Sequence, residues 1–216
     1  MKKEYIRKIF EIWRDHNPHP KSDLDYTNPF TLMIAVVLSA QATDKGVNKI
    51  TPALFEKADT PAKMIALGED DIREHVKSIN YYRTKAKNIY ALSHVLVSQY
   101  DGQVPDTFDD LVSLPGVGRK SANVILNAAF GKPTIGVDTH IFRTANRMGI
   151  VSTKTPEETE KALLDCIPDE FLTHAHHWIV LHGRYTCTAR APKCDICPVT
   201  KYCAAFGDIQ KTVQKG

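Results

Sequence analysis

Apolar positions recur at helical spacing along almost the whole chain. Ile6, Ile9, Phe10 and Trp13 fall at i, i+3, i+4 and i+7, the stripe of an amphipathic helix. Asn17-Pro18-His19-Pro20 stops it. Phe30 to Leu38 is apolar on all sides, which predicts a helix buried in a core. Val47, Ile50 and Leu54 repeat the helical period; Thr60-Pro61 reads as an N-cap with proline at the first helical position, and Gly68 closes that short helix. Ala86 to Tyr100 carries Ile89, Leu92 and Leu96 on one stripe. Thr155-Pro156-Glu157-Glu158 is a capping box, and Phe171, Ala175, Trp178, Ile179 and His182 mark a late helix. No segment alternates with period two, so an all-α fold is expected. The main breaks are Asn17–Pro20, Asp101–Pro105 and Gly131–Gly136. With 216 residues the chain is one large domain or two small ones.

Composition narrows the class. Apolar residues make up 43% of the chain, as in a soluble globular protein rather than a disordered one. The longest apolar stretch, Leu32 to Leu38, is far short of the ~20 residues of a membrane helix. Met1-Lys2-Lys3 leads into an amphipathic pattern with no signal-peptide core. A cytoplasmic protein with no membrane partner is expected. The net charge of +3 is unevenly spread: residues 111–150 hold five bases (Arg119, Lys120, Lys132, Arg143, Arg147) against one acid, Asp138. From Arg184 to Cys203 there are four more bases and one acid. A basic face points to an anionic partner, nucleic acid first, with solvated surface charge as the alternative.

Leu114-Pro115-Gly116-Val117-Gly118-Arg119-Lys120-Ser121-Ala122 lies between two helical patterns. Pro115-Gly116 makes a tight turn, and Gly118 leaves its neighbouring backbone bare. Amides exposed there, at a helix start, suit a phosphate oxygen. Lys120 falls in the first helical turn, where the dipole disfavours its cation and moves it toward a usable amine nucleophile. A surface lysine contacting phosphate is the other reading. Asp138 suits the N-cap of a helix starting at Thr139.

Four of the five cysteines, Cys187, Cys194, Cys197 and Cys203, lie within 17 residues. Such a cluster in a cytosolic chain reads as metal binding, and spacing alone allows either structural zinc or an iron–sulfur cluster, with composition leaning to zinc. Cys166 reads as an inert helix position. His174, His176, His177 and His182 do not place a good ligand set on one helix face, and read as surface or capping residues.

Several segments together resemble the endonuclease III family of DNA glycosylases. They are the Leu114–Ala122 hairpin, Gly136-Val137-Asp138-Thr139-His140, Leu38-Ser39-Ala40-Gln41-Ala42-Thr43-Asp44 and His182-Gly183-Arg184-Tyr185-Thr186-Cys187, with the six-two-five cysteine spacing. The resemblance implies a two-lobed protein: a six-helix barrel at 22–132 bearing the helix-hairpin-helix, and a cluster lobe from 1–21 and 133–216. The lobes would bind DNA in the cleft between them. It implies a 4Fe-4S cluster on the four cysteines. It implies a bifunctional glycosylase and abasic-site lyase of base excision repair, acting as a nucleoid-associated monomer on oxidised pyrimidines in duplex DNA. Lys120 would attack C1′ and form a Schiff base, leading to strand cleavage by β-elimination, while Asp138 would activate the lysine and stabilise charge on the sugar. The base must leave the stack first. Gln41 matches the residue that fills the gap, and Tyr81 stands where a leucine is more typical, after Asn80 where a glycine is common. Gly116, Gly118, Arg119, His140 and Arg143 are the remaining expected DNA contacts, with Arg190 and Lys193 reaching phosphates from the cysteine loop. The adenine-mismatch relative is excluded by Lys120 and by the absence of an acid in Phe30–Leu38. A catalytically silent DNA binder would need neither Lys120 nor Asp138.

Overall fold

The computed structural model describes residues 1–207, and residues 208–216 of the expected cluster lobe lie outside the described part. In chain order the helices are α1 (Lys3–His16), α2 (Pro29–Ser39), α3 (Asp44–Lys57), α4 (Pro61–Leu67), α5 (Glu69–Val76), α6 (Tyr82–Gln99), α7 (Phe108–Ser113), α8 (Arg119–Phe130), α9 (Thr139–Met148), α10 (Pro156–Cys166) and α11 (Asp169–Tyr185), followed by a 3₁₀ turn at Thr200–Tyr202. No strand occurs among the described residues, and the fold is all-α. No described helix is long and apolar enough to cross a membrane. The chain forms two compact units, Ser22–Gly131 and Met1–Lys21 with Lys132–Gly216.

The first unit is built around α2, whose residues Phe30 to Leu38 are all buried. An all-apolar helix has no face for water, so neighbours must surround it. They do: α3, α6 and α8 pack on it. Asn28 starts α2 reciprocally, accepting from Thr31 N at 2.9 Å while Thr31 Oγ1 accepts from Asn28 N at 3.0 Å. The unit holds seven helical segments, against the six expected from the resemblance. Gly68, at φ +85, ends α4 and also serves as the N-cap of α5, so the helix restarts at once.

In the second unit α1 lies on α11, and α11 packs closely against α9. Phe10 is its aromatic hub: its ring centroid lies 5.1 Å from Trp13, 5.7 Å from Phe171 and 6.2 Å from Trp178. Trp178 Nε1 donates to Asn17 O at 2.8 Å, fastening the end of α1. Gly183 allows the close approach of α11 to α9, because a Cβ there would lie 2.7 Å from Thr144 Oγ1 and 3.1 Å from His140 O. At α10, Thr155 Oγ1 accepts from Glu158 N at 3.1 Å as the capping box predicts, but Glu158 reaches back to Lys154 N at 2.8 Å, one residue earlier.

Candidate functional site

The hairpin turn is held from beneath by its apolar residues. Leu114 and Val117 are 2% and 5% exposed, and Val117 N donates to Leu114 O at 3.1 Å. With both anchors in the core, Gly116 and Gly118 are left exposed. Gly116 needs its missing side chain twice over: its φ is +82, and a Cβ would meet Asn88 of α6 at 2.9 Å. Gly118 is different. Its backbone is extended and nothing lies within 4 Å of where a Cβ would be, so the fold does not require glycine there. As the N-cap of α8 it offers no side-chain acceptor. An outside anion can take that place at the positive end of the helix. Arg119 and Lys120 open α8 and are exposed, with the Arg119 guanidinium 5.1 Å above the Phe108 ring.

In the same unit, Gln41 sits in the α2–α3 turn and Tyr81 just before α6. Both are exposed, Tyr81 by 64%. Both adopt left-handed backbone, at φ 53 and φ 57, which a non-glycine residue rarely does. Tyr82 is half-buried, beneath the Arg83 guanidinium at 5.2 Å.

In the other unit, Asp138 caps α9 as the sequence suggests, its Oδ1 accepting from Ile141 N at 2.8 Å. One helical face then carries His140, Arg143 and Arg147 toward the cysteine loop. Arg143, an expected DNA contact, is half-buried and also makes hydrogen bonds within its own unit. Its Nη2 donates to Gly183 O at 2.7 Å and Cys187 O at 3.1 Å, and lies 3.4 Å from His140 Nδ1. Helix ends leave carbonyls without partners, and the C-terminus of α11 recruits this guanidinium to supply them. Arg147 was counted only as charge. Its Nη1 donates to Thr188 O at 2.7 Å and approaches Cys187 Sγ at 3.6 Å, while Nη2 donates to Ala189 O at 3.0 Å. Neither role is visible without knowing that α9 and α11 are neighbours.

Cys187, Cys194, Cys197 and Cys203 line a single pocket with Met148, Pro192 and Phe206. Burial first, and then charge on a neighbouring cysteine, pushes the Cys194 thiol up; burial is also the main cause at Cys197 and Cys203. Thiols so placed need a cation to become thiolates. Four thiols around one pocket are a donor set that fits an iron–sulfur cluster. The resident group would supply a fixed polynuclear knot that closes the loop. Arg190 and Lys193 lie exposed on that loop, whose base is tied by Lys193 N to Thr186 O at 2.9 Å.

The histidine reading is corrected. His176, His177 and His182 are only 5%, 6% and 7% exposed. Because α11 packs against both α1 and α9, residues on more than one of its faces are enclosed. The His182 ring lies 5.1 Å from that of Trp13 at a tilt of 46°, its Nε2 lies 3.7 Å from Cys197 Sγ, and burial pushes its pKa down to about 4. Cys166 is half-buried with its thiol pushed up by burial, as an inert position should be.

Residues 34–169 match the model of the HhH-GPD superfamily of base excision DNA repair proteins. Residues 187–203 match the iron–sulfur binding domain of endonuclease III. Endonuclease III of Rickettsia conorii is 54% identical over 97% of this chain and 100% of its own. The chain belongs to the endonuclease III family. Endonuclease III of Escherichia coli K12 is 48% identical over 94% of this chain and 96% of its own. A solved covalent endonuclease III–DNA intermediate, trapped as an estranged-adenine complex, superposes with a TM-score of 0.90 at 42% identity, covering 97% of this chain and 99% of that one. This endonuclease III family member is therefore a base excision repair DNA glycosylase with abasic-site lyase activity, and its cofactor is a 4Fe-4S cluster.

Proposed function

We propose that this glycosylase removes oxidised, ring-saturated or fragmented pyrimidines from duplex DNA through a lysine imine, with Lys120 as nucleophile. The observation that carries the reading is the place of Lys120, exposed in the first turn of a helix that no side chain caps, directly after a glycine turn. The Lys120 amine attacks C1′, and the C1′–N bond breaks as the damaged base leaves with a proton. Opening of the sugar ring gives the Schiff base, which acidifies the C2′ hydrogen. Loss of that proton expels the 3′ phosphate, and water then releases Lys120 from the unsaturated aldehyde. Asp138 takes the lysine proton and offsets positive charge on the sugar.

Gly116, Gly118, Arg119, Lys193 and Arg190 seat phosphates, while Gln41 and Tyr81 fill the space that the flipped nucleotide leaves. The enzyme acts as a monomer in the cytoplasm, on nucleoid DNA. The trapped covalent intermediate of a related endonuclease III supports the imine route.

The test is borohydride trapping on duplexes containing thymine glycol or an abasic site, comparing the native chain with Lys120→Ala. A covalent adduct lost in the variant is expected. A native protein that releases the base but never traps would make the enzyme a monofunctional glycosylase and end the imine reading.

A further inference from the structure

The Gln41 and Tyr81 loops are each fixed from below. Ala42 N donates to Ser39 O at 3.1 Å behind Gln41, and Thr43 Oγ1 accepts from Gly46 N at 3.1 Å ahead of it. Behind Tyr81, Ile79 is 8% exposed and its N–H donates to Val76 O at 3.2 Å; ahead, Lys85 N donates to Tyr81 O at 3.0 Å. Two hydrogen bonds then join the second loop and its helix to the first. Lys85, 5% exposed, donates from Nζ to Leu38 O at 2.9 Å, placing a cation on the C-terminal end of α2. Asn80 donates from Nδ2 to Gln41 O at 3.1 Å. A carbonyl only accepts, so the nitrogen of the Asn80 amide must face it. Lys85 holds the helix end three residues before Gln41. Asn80 holds Gln41 itself and is the immediate chain neighbour of Tyr81.

We propose that Asn80 is a positioning residue for DNA insertion, tying the Gln41 carbonyl to the Tyr81 loop so that the two side chains enter the duplex as one rigid pair. The inference rests on the reading that Gln41 and Tyr81 occupy the gap. Two separate loops would each lose freedom on binding, whereas tied loops have lost part of it already. The left-handed backbone at both positions then has a use. It points two ordinary side chains outward from turns that would otherwise favour glycine, and the cross-tie keeps them in register. A glycine at position 80 would leave the same two turns without a direct bond to each other.

The experiment uses the full, cluster-loaded chain and a duplex with a tetrahydrofuran abasic analogue opposite 2-aminopurine, whose fluorescence rises when it unstacks. Asn80→Asp keeps the shape but sets an acceptor against a carbonyl; Asn80→Gly removes the tie. Both should raise Kd for the analogue, and KM on an abasic duplex, by about fivefold, as loss of one neutral hydrogen bond would. The rate at saturating DNA should stay within about twofold. Gln41→Ala and Tyr81→Ala should be coupled in the native background and additive in the Asn80→Gly background. Position 80 is exposed, so both variants should keep the native fold and melt about 2–4 °C below the native chain, as loss of one hydrogen bond would. If the Asn80 variants bind and unstack like the native protein while Gln41→Ala and Tyr81→Ala both lower the signal, the tie is overturned and insertion stands. If neither of those alanine variants changes the signal, the insertion reading fails and takes the proposal with it.

Discussion

Arg147→Met is expected to loosen the cysteine loop while leaving the helix that bears it intact. The side chain gives two short hydrogen bonds to loop carbonyls, Thr188 O at 2.7 Å and Ala189 O at 3.0 Å. Bonds from a charged donor contribute about 1.5–3 kcal/mol each when enclosed. Thr188 is half-buried and Ala189 exposed, so water replaces the donor in the variant and about 1 kcal/mol apiece is the better figure. Methionine keeps most of the packed stem. Local opening of the loop should therefore become easier by about 2 kcal/mol, about 30-fold in the opening equilibrium. Opening frees Cys187 and its neighbours, so loss of the cluster to a chelator should accelerate by the same factor, read as decay of the visible absorbance of the cluster. Arg147→Lys keeps a charge near Cys187 but loses the two-pronged donor, and should fall between. Arg73→Met, which removes only an exposed pair with Asp70, should decay like the native chain. Decay of Arg147→Met within twofold of native would refute the latch.

The two hairpin glycines should separate stability from binding. Gly116→Ala meets both a left-handed backbone, costing about 1–2 kcal/mol, and Asn88 at 2.9 Å, so thermal unfolding should fall by about 4–8 °C. Gly118→Ala should melt within about 1 °C of native yet bind the abasic-analogue duplex more weakly; equal binding would remove the phosphate from this turn. Asp138→Asn should keep the α9 cap and its stability while base excision falls, whereas Asp138→Ala should also cost about 1 kcal/mol in denaturant unfolding. Full activity of Asp138→Asn would exclude the carboxylate from the reaction. Burial pushes the pKa of Lys85 below its ordinary 10.5, so the unfolded chain binds that proton more tightly. Native stability relative to Lys85→Met should accordingly rise as pH climbs toward 10.5 and level off above it, which denaturant curves at stepped pH would check.

Helices with strong local signals were legible one by one: the stop after α1, the all-apolar α2, the Thr60-Pro61 start of α4 and the Thr155 cap of α10. The weak ones were not. Neither α5, which restarts behind Gly68, nor the six-residue α7 carries enough apolar periodicity to register. The cysteine spacing and the hairpin survived translation into three dimensions because both are local, with every part within 17 residues or fewer. The histidines of α11 did not, since their burial depends on what α1 and α9 cover.

The sequence by itself determined the helical class, the glycine turn with Lys120 behind it, the Asp138 cap and the four thiols, because each depends on residues a few positions apart. Tertiary structure alone decided where the long cationic and polar side chains end. Arg143 and Arg147 reach partners 40 to 44 and 40 to 42 residues away, Lys85 one 47 away, and Asn80 one 39 away. A lysine or arginine written in a sequence is only a charge on a flexible stem. Whether it meets DNA or a carbonyl of its own chain depends on which helix ends, left with unpaired carbonyls, the packing has brought within its reach.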